Sequence, residues 1–304
     1  MVGTTVDSAV ERCRRDALLA SRGPVYTVNG VHNTTTTTIV TNETFSHVGP
    51  GEVLAWDYEL VYVKSATAAT QTVDVIRGYF GSTPVQHSDL SIIEVAPRFP
   101  KAELLDALVH EISSWHRKLF RVTTIDLDVT AGKTHYSLSG LVGPVDGLLG
   151  VRLAPVEQSS DWWTWSWVGD RHARAQARLH RGETSSVDEV TLEFVRRPPS
   201  TTTARVTVAQ PFDVEFVQGS NDLIDDIGLK LDWLDLLEVG MKWRCLTTTV
   251  IGRSDWRTSN VARAAEEVTP LDVVRTAGHL RDLRDQKLSD AMIALRGDWG
   301  WREW

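Results

Sequence analysis

A regular spacing of apolar residues after Pro100 constrains the fold more than any other feature of the sequence. The residues of this stripe are Leu104, Leu108, Ile112, Trp115 and Leu119. Positions three and four apart lie on one face of an α-helix, and proline is favoured in the first helical turn. The pattern therefore predicts an amphipathic helix over about residues 101–119, and Pro97 and Pro100 mark the end of whatever precedes it.

The region before this helix has the composition of β-strands. A short amphipathic stripe comes first and predicts an amino-terminal helix; its residues are Val6, Val10, Cys13 and Ala17. From residue 24 onward the chain is rich in Val, Thr, Tyr and Ile, which favour strands. Alternation of large apolar residues over 54–62 is also typical of a strand. We expect a small antiparallel β module over residues 24–96.

Strand signals resume after the central helix. Runs rich in β-branched residues occur at 123–129, 134–138, 145–153, 187–196 and 205–209. They are separated by Gly, Pro, Ser and Thr, which favour turns. This spacing predicts a β-sandwich-like domain over residues 122–216.

Helical patterns return in the last third of the chain. Asp232 can cap a helix in which Gly240 would allow a close approach of another element. Thr269-Pro270 opens the longest helix, and Arg284 interrupts its apolar face. An arginine at such a position is more often a paired interface residue than a catalytic one.

Together these segments predict an α+β fold. The amino-terminal helix, the helix over about 101–119 and the carboxy-terminal helices would form a helical scaffold from residues 1–22, 97–121 and 222–304. The small β module and the β-sandwich-like domain would be inserted into this scaffold.

Composition excludes several classes of protein. The chain has 32 basic and 40 acidic residues, a net charge of -8, which disfavours general binding to nucleic acid. No apolar run approaches the roughly 18 residues of a membrane span, so no membrane partner is expected. The charged amino-terminal stretch lacks the apolar core of an export signal, which predicts a protein folded in a cytoplasm.

The motifs that usually carry chemistry are missing. His110-Glu111 begins like a zinc-protease helix, but Ser114 stands where the second histidine should be. The chain has neither a glycine-rich phosphate loop nor a nucleophile elbow. Cys13 and Cys245 fit neither a disulfide framework nor a zinc site, and we expect two buried thiols. The sequence predicts no catalytic residue, no metal ligand and no cofactor.

Tryptophan is unusually frequent, with 12 residues against 5 Tyr and 7 Phe. If residues 163–167 form a strand, Trp163, Trp165 and Trp167 share one face. That face would be packed in a core or subunit interface, or exposed as a platform for sugar rings. Large apolar rings in water usually mark a partner surface, which favours a core or an interface.

A series of motifs resembles structural proteins of tailed bacteriophages. In those proteins D-x-E-L-(I/M)-x-V is followed by V-x-R-G-x-x-G-(T/S), by a histidine, and by P-x-F-P at the start of a helix. This chain has D-Y-E-L-V-Y-V at 57–63, V-I-R-G-Y-F-G-S at 75–82, His87, and P-R-F-P at 97–100. Looser matches continue to A-E-E-V at 265–268, so the motif order spans most of the chain.

The resemblance implies a head-to-tail adaptor, a non-enzymatic virion protein of the neck. It implies a homo-oligomeric ring of twelve copies that binds the portal protein and a tail or tail-terminator protein. Such a ring would be assembled in the host cytoplasm. Because the chain is net acidic, DNA would pass through the ring without being specifically bound.

Two sets of residues are candidates for this role. Arg77, Gly78 and Gly81 are expected to shape a tight turn, because glycine permits positive φ. The residues expected to contact the portal or a neighbouring subunit are Arg284, Leu288, Met292, Leu295, Trp299, Trp301, Trp304, Trp163, Trp165 and Trp167. The alternative is a carbohydrate-binding β-sandwich module of a phage tail or polysaccharide-handling protein. In that case Trp163, Trp165 and Trp167 would form the stacking platform.

Overall fold

The chain divides into two compact units in a computed structural model. The first consists of Met1–Glu111, Val217–Leu223 and Leu231–Asp285, and the second of Ile112–Phe216, Ile224–Lys230 and Gln286–Trp304. The structure describes residues 4–15, 23–116, 118–138, 140–141, 144–153, 163–165, 177–181, 190–195, 202–214, 217–252 and 270–299. Each unit combines segments that are distant in sequence, so neither is a continuous half of the chain.

Four α-helices lie in the described part of the chain. They are α1 (Val6–Arg15), α2 (Lys101–Ser113), α3 (Leu234–Gly252) and α4 (Pro270–Trp299). None of these four is both long enough and apolar enough to cross a membrane. Helix α2 ends six residues before the expected boundary, at Ser113-Ser114, and serine is a weaker helix former than the residues before it. Trp115 and Leu119 are nevertheless buried beyond the helix end.

Six strands of the first unit form a curled antiparallel sheet in the order β1-β6-β3-β4-β5-β2. They are β1 (Val25–Thr27), β2 (Thr38–Val40), β3 (Val53–Trp56), β4 (Glu59–Thr67), β5 (Thr72–Ile76) and β6 (Ile92–Val95). The edge strands β1 and β2 are also joined to each other, because an isolated antiparallel β-bridge links Val28, just after β1, to Thr41, just after β2. Asn29 N–H donates to the Val40 carbonyl at 2.8 Å, and Asn42 N–H donates to the Thr27 carbonyl at 2.9 Å. The sheet therefore closes on itself.

The inner face of this sheet is filled by apolar side chains. They include Tyr26, Val28, Ile39, Leu54, Trp56, Val61, Val63, Val73, Val75, Ile93 and Val95. Most of them are β-branched, which suits strands, and burying each one stabilises the fold by about 1.5–3 kcal/mol. This core fixes the register, because a slip of one residue would turn every inner side chain outward.

The alternating stretch over 54–62 contains a hairpin instead of one continuous strand. Trp56 pairs with Glu59, so the two-residue turn Asp57-Tyr58 joins β3 to β4, and Asp57 has a φ of 53°. Paired residues lie on the same face of a sheet. Trp56 and Glu59 therefore both lie on the inner side, and each is fully buried.

The second unit contains two smaller antiparallel sheets. Their strands are β7 (Arg121–Val129), β8 (His135–Ser137), β9 (Gly147–Leu153), β10 (Trp163–Trp165), β11 (Ala177–Arg181), β12 (Val190–Phe194) and β13 (Thr202–Gln210). The strand orders are β10-β9-β13-β7 and β11-β12-β8. Residues of both sheets, such as Val206 and Leu192, share one apolar core.

The expected fold class, a helical scaffold with β insertions, is wrong. The described residues form a mixed fold that is rich in strands, built around the six-stranded curled sheet and the two smaller sheets. The helices lie mostly towards the carboxy terminus, and α1 has only 10 residues. Long helices give a strong periodic signal, whereas strands of three to nine residues each give a weak one, so the helical content was overweighted.

Helix α1 is held within the first unit by segments from the far end of the chain. Val6 N–H donates to the Asn221 carbonyl and Leu223 N–H donates to the Thr4 carbonyl, both at 2.9 Å. On α3, Met241 lies 4.0 Å from the Cys13 sulfur, measured between sulfur atoms. Both cysteines are buried thiols, as predicted, and burial raises the pKa of Cys245 to about 12.

Candidate functional site

A group of buried polar side chains lies at one end of the curled sheet. Trp56 ends β3, Glu59 begins β4, Arg77 follows β5 and His87 precedes β6. We call these four residues, together with Asp57, the Glu59 cluster. Glu59 is fully buried, and the side chains of Arg77 and His87 are 5% and 1% exposed. Charges buried this deeply must be paired, because removing them from water is costly.

Arg77 is completely satisfied by its neighbours. Its Nε and Nη2 donate to the two carboxylate oxygens of Glu59, each at 2.6 Å, which is a bidentate ion pair. The other N–H groups donate to the carbonyls of Asn33 at 2.8 Å, Thr36 at 3.2 Å and Val85 at 2.7 Å. All five N–H groups of the guanidinium have partners, so this side chain ties two loops to β4.

Glu59 accepts three further hydrogen bonds. They come from the backbone N–H groups of Gly78 at 3.0 Å and Val85 at 3.2 Å, and from His87 Nε2 at 3.1 Å. Burial acts to raise the pKa of Glu59, but the hydrogen bonds from Arg77, His87 and the two amides lower it to about 2. Glu59 therefore stays ionised near neutral pH and is unsuited to general acid–base catalysis.

His87 links both carboxylates of the cluster. Its ring stacks on Trp56 with centroids 3.9 Å apart, and its Nδ1 lies 3.3 Å from Asp57 Oδ2. Ionised carboxylates only accept hydrogen bonds, so both contacts are hydrogen bonds when both ring nitrogens carry a proton, which is the cationic form of the ring. Burial acts to lower the pKa of His87, but its bonds to Asp57 and Glu59 raise it above the ordinary value. The charges of the cluster then balance.

The stability of the protein should depend on the protonation of His87. Folding raises the pKa of this histidine above the ordinary value of about 6.5, so its stabilising contribution is fully present below that pH. The contribution is lost as the pH rises through the raised pKa. We expect the free energy of unfolding of the wild type to decrease relative to that of His87→Gln as the pH rises from about 6.5 through the raised pKa of His87.

Urea denaturation at a series of pH values measures this difference. His47→Gln removes an exposed histidine of the same unit and serves as the control, so its curve should run parallel to that of the wild type. If His87→Gln also ran parallel to the wild type, His87 would not be a stabilising cation.

His32 also packs against Trp56. The two rings are 5.5 Å apart at an angle of 67°, and the backbone of His32 pairs with that of His87. Its Nε2 donates to the Asn29 carbonyl at 3.1 Å. Its buried Nδ1 has no hydrogen-bond partner in the described part of the chain, which costs about 1–3 kcal/mol. The edge-to-face contact with Trp56 and the backbone pairing with His87 offset that cost.

The predicted turn residues lie in the loop that the Glu59 cluster holds. Gly78 and Gly81 have φ values of 64° and 79°, and a Cβ on Gly78 would lie 2.8 Å from the Ser82 carbonyl oxygen. Between them Phe80 has a φ of 53°, and its side chain is 68% exposed. A bulky residue in this left-handed conformation costs about 1–2 kcal/mol, so the anchored ends of the loop impose its shape.

A second buried carboxylate joins three helices. Glu111 on α2 is fully buried and accepts hydrogen bonds from Arg244 Nε at 2.7 Å and Arg284 Nε at 2.8 Å. Both guanidinium groups lie over the ring of Trp243, at 5.3 and 5.5 Å from its centroid. Gly240 faces Glu111 so closely that a Cβ would lie 2.4 Å from Glu111 Cδ, which confirms the predicted close approach. We call these five residues the Glu111 cluster.

Arg284, which the sequence marks as an interface residue, has its partners within the chain. It is 7% exposed, and its Nη1 also donates to Asp285 at 2.8 Å. Burial acts to lower the pKa of Arg284, but Asp285 and Glu111 raise it above its ordinary value. Its charge is balanced within the first unit, and a role between subunits stays a prediction.

The other predicted contact residues are scattered. On α4, Leu288 and Leu295 are buried and Met292 is half-buried, while Trp299 is the last residue of the helix. Trp163 and Trp165 lie in β10, at the edge of the four-stranded sheet, paired with Leu153 and Val151. Trp167, Trp301 and Trp304 lie outside the described residues.

Sequence reasoning missed the residues at the centre of both clusters. Glu59 appeared only as part of a strand motif, His87 had no role, and Glu111 was weighed only as part of an incomplete zinc motif. The one available signal was a charged residue within an apolar alternation, as at Glu59 beside Val61. Which arginine neutralises a buried carboxylate depends on the fold.

No protein-family model matches the chain, and no curated protein matches it either. Among the residues that the structure describes, no group of three or more His, Cys, Asp or Glu side chains could hold a metal ion. The geometry of the two clusters therefore carries the functional interpretation.

Proposed function

We propose that this chain is a non-enzymatic structural protein of a tailed-bacteriophage virion. Its role is that of a head-to-tail adaptor, which forms a ring between the portal and the tail. One observation carries the proposal: the motif residues Asp57, Glu59, Arg77, Gly78 and His87 lie together in one hydrogen-bonded network around the buried Glu59. Residues that form a phage-like motif in sequence thus act as a unit in the fold.

The chemistry of this network supports a structural role. Every N–H of Arg77 and both carboxylate oxygens of Glu59 are engaged within the chain. A group with no free donor or acceptor offers nothing to a substrate, but it rigidly positions the loops attached to it. The network holds the attached loops in one conformation, and a binding protein requires a surface of fixed shape.

Net charge supports passage of DNA through such a ring. Each copy carries a net charge of -8, and attraction of the phosphate backbone to the channel wall would slow ejection of the genome. The proposed partners are further copies of the chain, the portal protein and a tail or tail-terminator protein. A basic channel surface in the assembled ring would contradict this part of the proposal.

Mass photometry of the purified full chain tests the ring. We expect particles of about twelve times the 33.9 kDa subunit mass, and closed rings in electron micrographs. A chain that stays monomeric at micromolar concentration, with and without the portal protein of its parent particle, would overturn the proposal.

A truncation tests the predicted carboxy-terminal contact. Deleting residues 297–304 removes Trp299, Trp301 and Trp304, and we expect a subunit with an unchanged melting temperature that no longer assembles. Replacing Arg302 and Glu303 by alanine while keeping the three tryptophans is the matched control and should leave assembly intact. Normal rings from the truncated chain would exclude this contact.

A further inference from the structure

The outer face of β1 and β6 exposes a set of large apolar side chains. Residues 25–32 run antiparallel to residues 87–94, with Val25 opposite Glu94 and His32 opposite His87. Successive side chains of a strand point to opposite faces of the sheet. Because Tyr26, Val28 and Ile93 are buried on the inner side, the residues next to them in sequence are directed outward. The exposed residues are Val25, Val31, Leu90 and Ile92, at 54–64%. We call this the β1–β6 face.

A second apolar surface lies on the outer side of β4 and β5. Tyr62 and Ile76 pair across these strands, on the side opposite to the buried Val61 and Val75. Tyr79 packs on Tyr62 with ring centroids 5.1 Å apart, and Phe80 packs on Tyr79 at 4.3 Å. This row of rings ends at the exposed Phe80. We call it the β4–β5 face.

The two faces lie on opposite sides of the curled sheet. Only β3 separates the two strand pairs on one side, and only β2 separates them on the other. Because the bridge between Val28 and Thr41 closes the sheet, this order places the pairs directly across from each other. Each copy of the chain therefore presents two different apolar surfaces in opposite directions.

The main apolar residue of each face is held in a strained conformation. Phe80 has a φ of 53° and Leu90 has a φ of 61°, a region that such residues rarely adopt. Gly78 N–H, bound to Glu59, fixes the chain before Phe80, and Leu90 N–H donates to the Val28 carbonyl at 2.9 Å. Strained and exposed side chains that are held in place are typical of binding anchors, because little freedom is lost on binding.

We propose that the β4–β5 face of one copy docks on the β1–β6 face of a second copy, with Phe80 and Leu90 as the main anchors. This inference rests on the proposed function and names the contact between neighbouring subunits of the ring. A contact between two different, opposed faces is heterologous, and repeating it produces a ring when the rotation closes. Copies with a net charge of -8 repel each other, and burial of apolar surface at the contact offsets that repulsion.

One basic side chain on the β4–β5 face has possible acidic partners beside the β1–β6 face. The carboxylates of Glu43 and Asp89 flank the β1–β6 face, where they accept hydrogen bonds from Thr27 and from Gly30 N–H. Lys64 is exposed on the β4–β5 face, beside Asp74, whose carboxylate is engaged by Thr38 and Ser65. Lys64 of one copy would pair with Glu43 or Asp89 of the next, which favours the pairing of unlike faces.

Two single variants and their mixture test this contact by mass photometry. Phe80→Asp disables only the β4–β5 face, and Leu90→Asp disables only the β1–β6 face. Aspartate tolerates positive φ better than Phe or Leu, so both variants should keep the wild-type melting temperature. We expect each variant alone to lose assembled particles about tenfold or more. The equimolar mixture should form dimers, because one intact face of each kind remains.

Leu231→Asp is the matched control, since it adds the same charge at an apolar residue that is 58% exposed outside both faces. It should assemble like the wild type. Assembly of the wild type together with unchanged assembly of Phe80→Asp or Leu90→Asp would overturn the contact but not the proposed function. A mixture that stays monomeric, or a control that loses assembly as well, would also overturn the contact. A wild type that never assembles would overturn both.

Discussion

Replacing Glu59 by Gln is expected to lower the free energy of unfolding by about 3–5 kcal/mol, because it leaves buried charges without their partner. The glutamine has the same shape, but its NH2 group would face a donor of Arg77, Gly78, Val85 or His87. Arg77 would remain 5% exposed with no anion beside it. Both loops that it ties to β4 should then loosen.

Urea denaturation and hydrogen exchange together measure this loss. The amides of Gly78 and Val85 donate to Glu59 and should exchange much faster in the variant. Glu43→Gln is the matched control, because Glu43 also accepts hydrogen bonds on this sheet but is exposed. It should change stability little. If Glu59→Gln and Glu43→Gln changed the free energy of unfolding equally, the buried ion pair of Glu59 would contribute no more to stability than an exposed hydrogen bond.

Replacing Gly240 by Ala is expected to destabilise the protein by about 1–3 kcal/mol, although alanine is the better helix former. The added Cβ would lie 2.4–2.6 Å from three atoms of Glu111, closer than real Cβ contacts allow. Glu111 is bound to Arg244 and Arg284 and cannot move aside without breaking those ion pairs. Overpacking therefore outweighs the gain in helix propensity.

Gly278→Ala provides the opposite result in another helix. Gly278 is exposed on α4, and a Cβ there would meet no atom within 4 Å. Helix propensity alone should then raise the stability by about 0.5–1 kcal/mol. Thermal unfolding of the two variants beside the wild type measures both effects. A higher stability of Gly240→Ala than of the wild type would show that Gly240 has no steric role, and a lower stability of Gly278→Ala would contradict the argument from helix propensity.

Local periodicity was sufficient to predict the helices but not their place in the fold. The apolar stripe from Leu104 to Ile112 and the start at Pro270 both lead to helices in the structure. The strands depend on pairing between distant residues, as in β1 with β6, and the two-residue turn at Asp57 reversed an alternation that looked continuous. The predicted balance of helix and strand was wrong for this reason.

The clusters could be predicted only in part, because their members are far apart in sequence. Glu59 lies 18 residues from Arg77, and Glu111 lies 173 residues from Arg284. The sequence shows each charge and each glycine, but neither the hairpin that turns Glu59 inward nor the helix crossing at Gly240. Arg284 illustrates the limit: its position in an apolar face indicated a partner, and the structure supplies that partner as Glu111.

The attachment of α1 has a consequence for synthesis of the chain on the ribosome. Thr4 bonds to Asp222, 218 residues further along, and the whole of the second unit's strand region is translated between them. At about 5–20 residues per second the helix waits on the order of ten seconds or longer for its docking segment. During that interval Cys13 lacks its contact with Met241, and α1 has only earlier partners such as Glu94 and Lys101. Helix α1 therefore completes its packing only after residues 217–223 and α3 have been made, which makes the nascent chain dependent on transient shielding of the apolar stripe of α1.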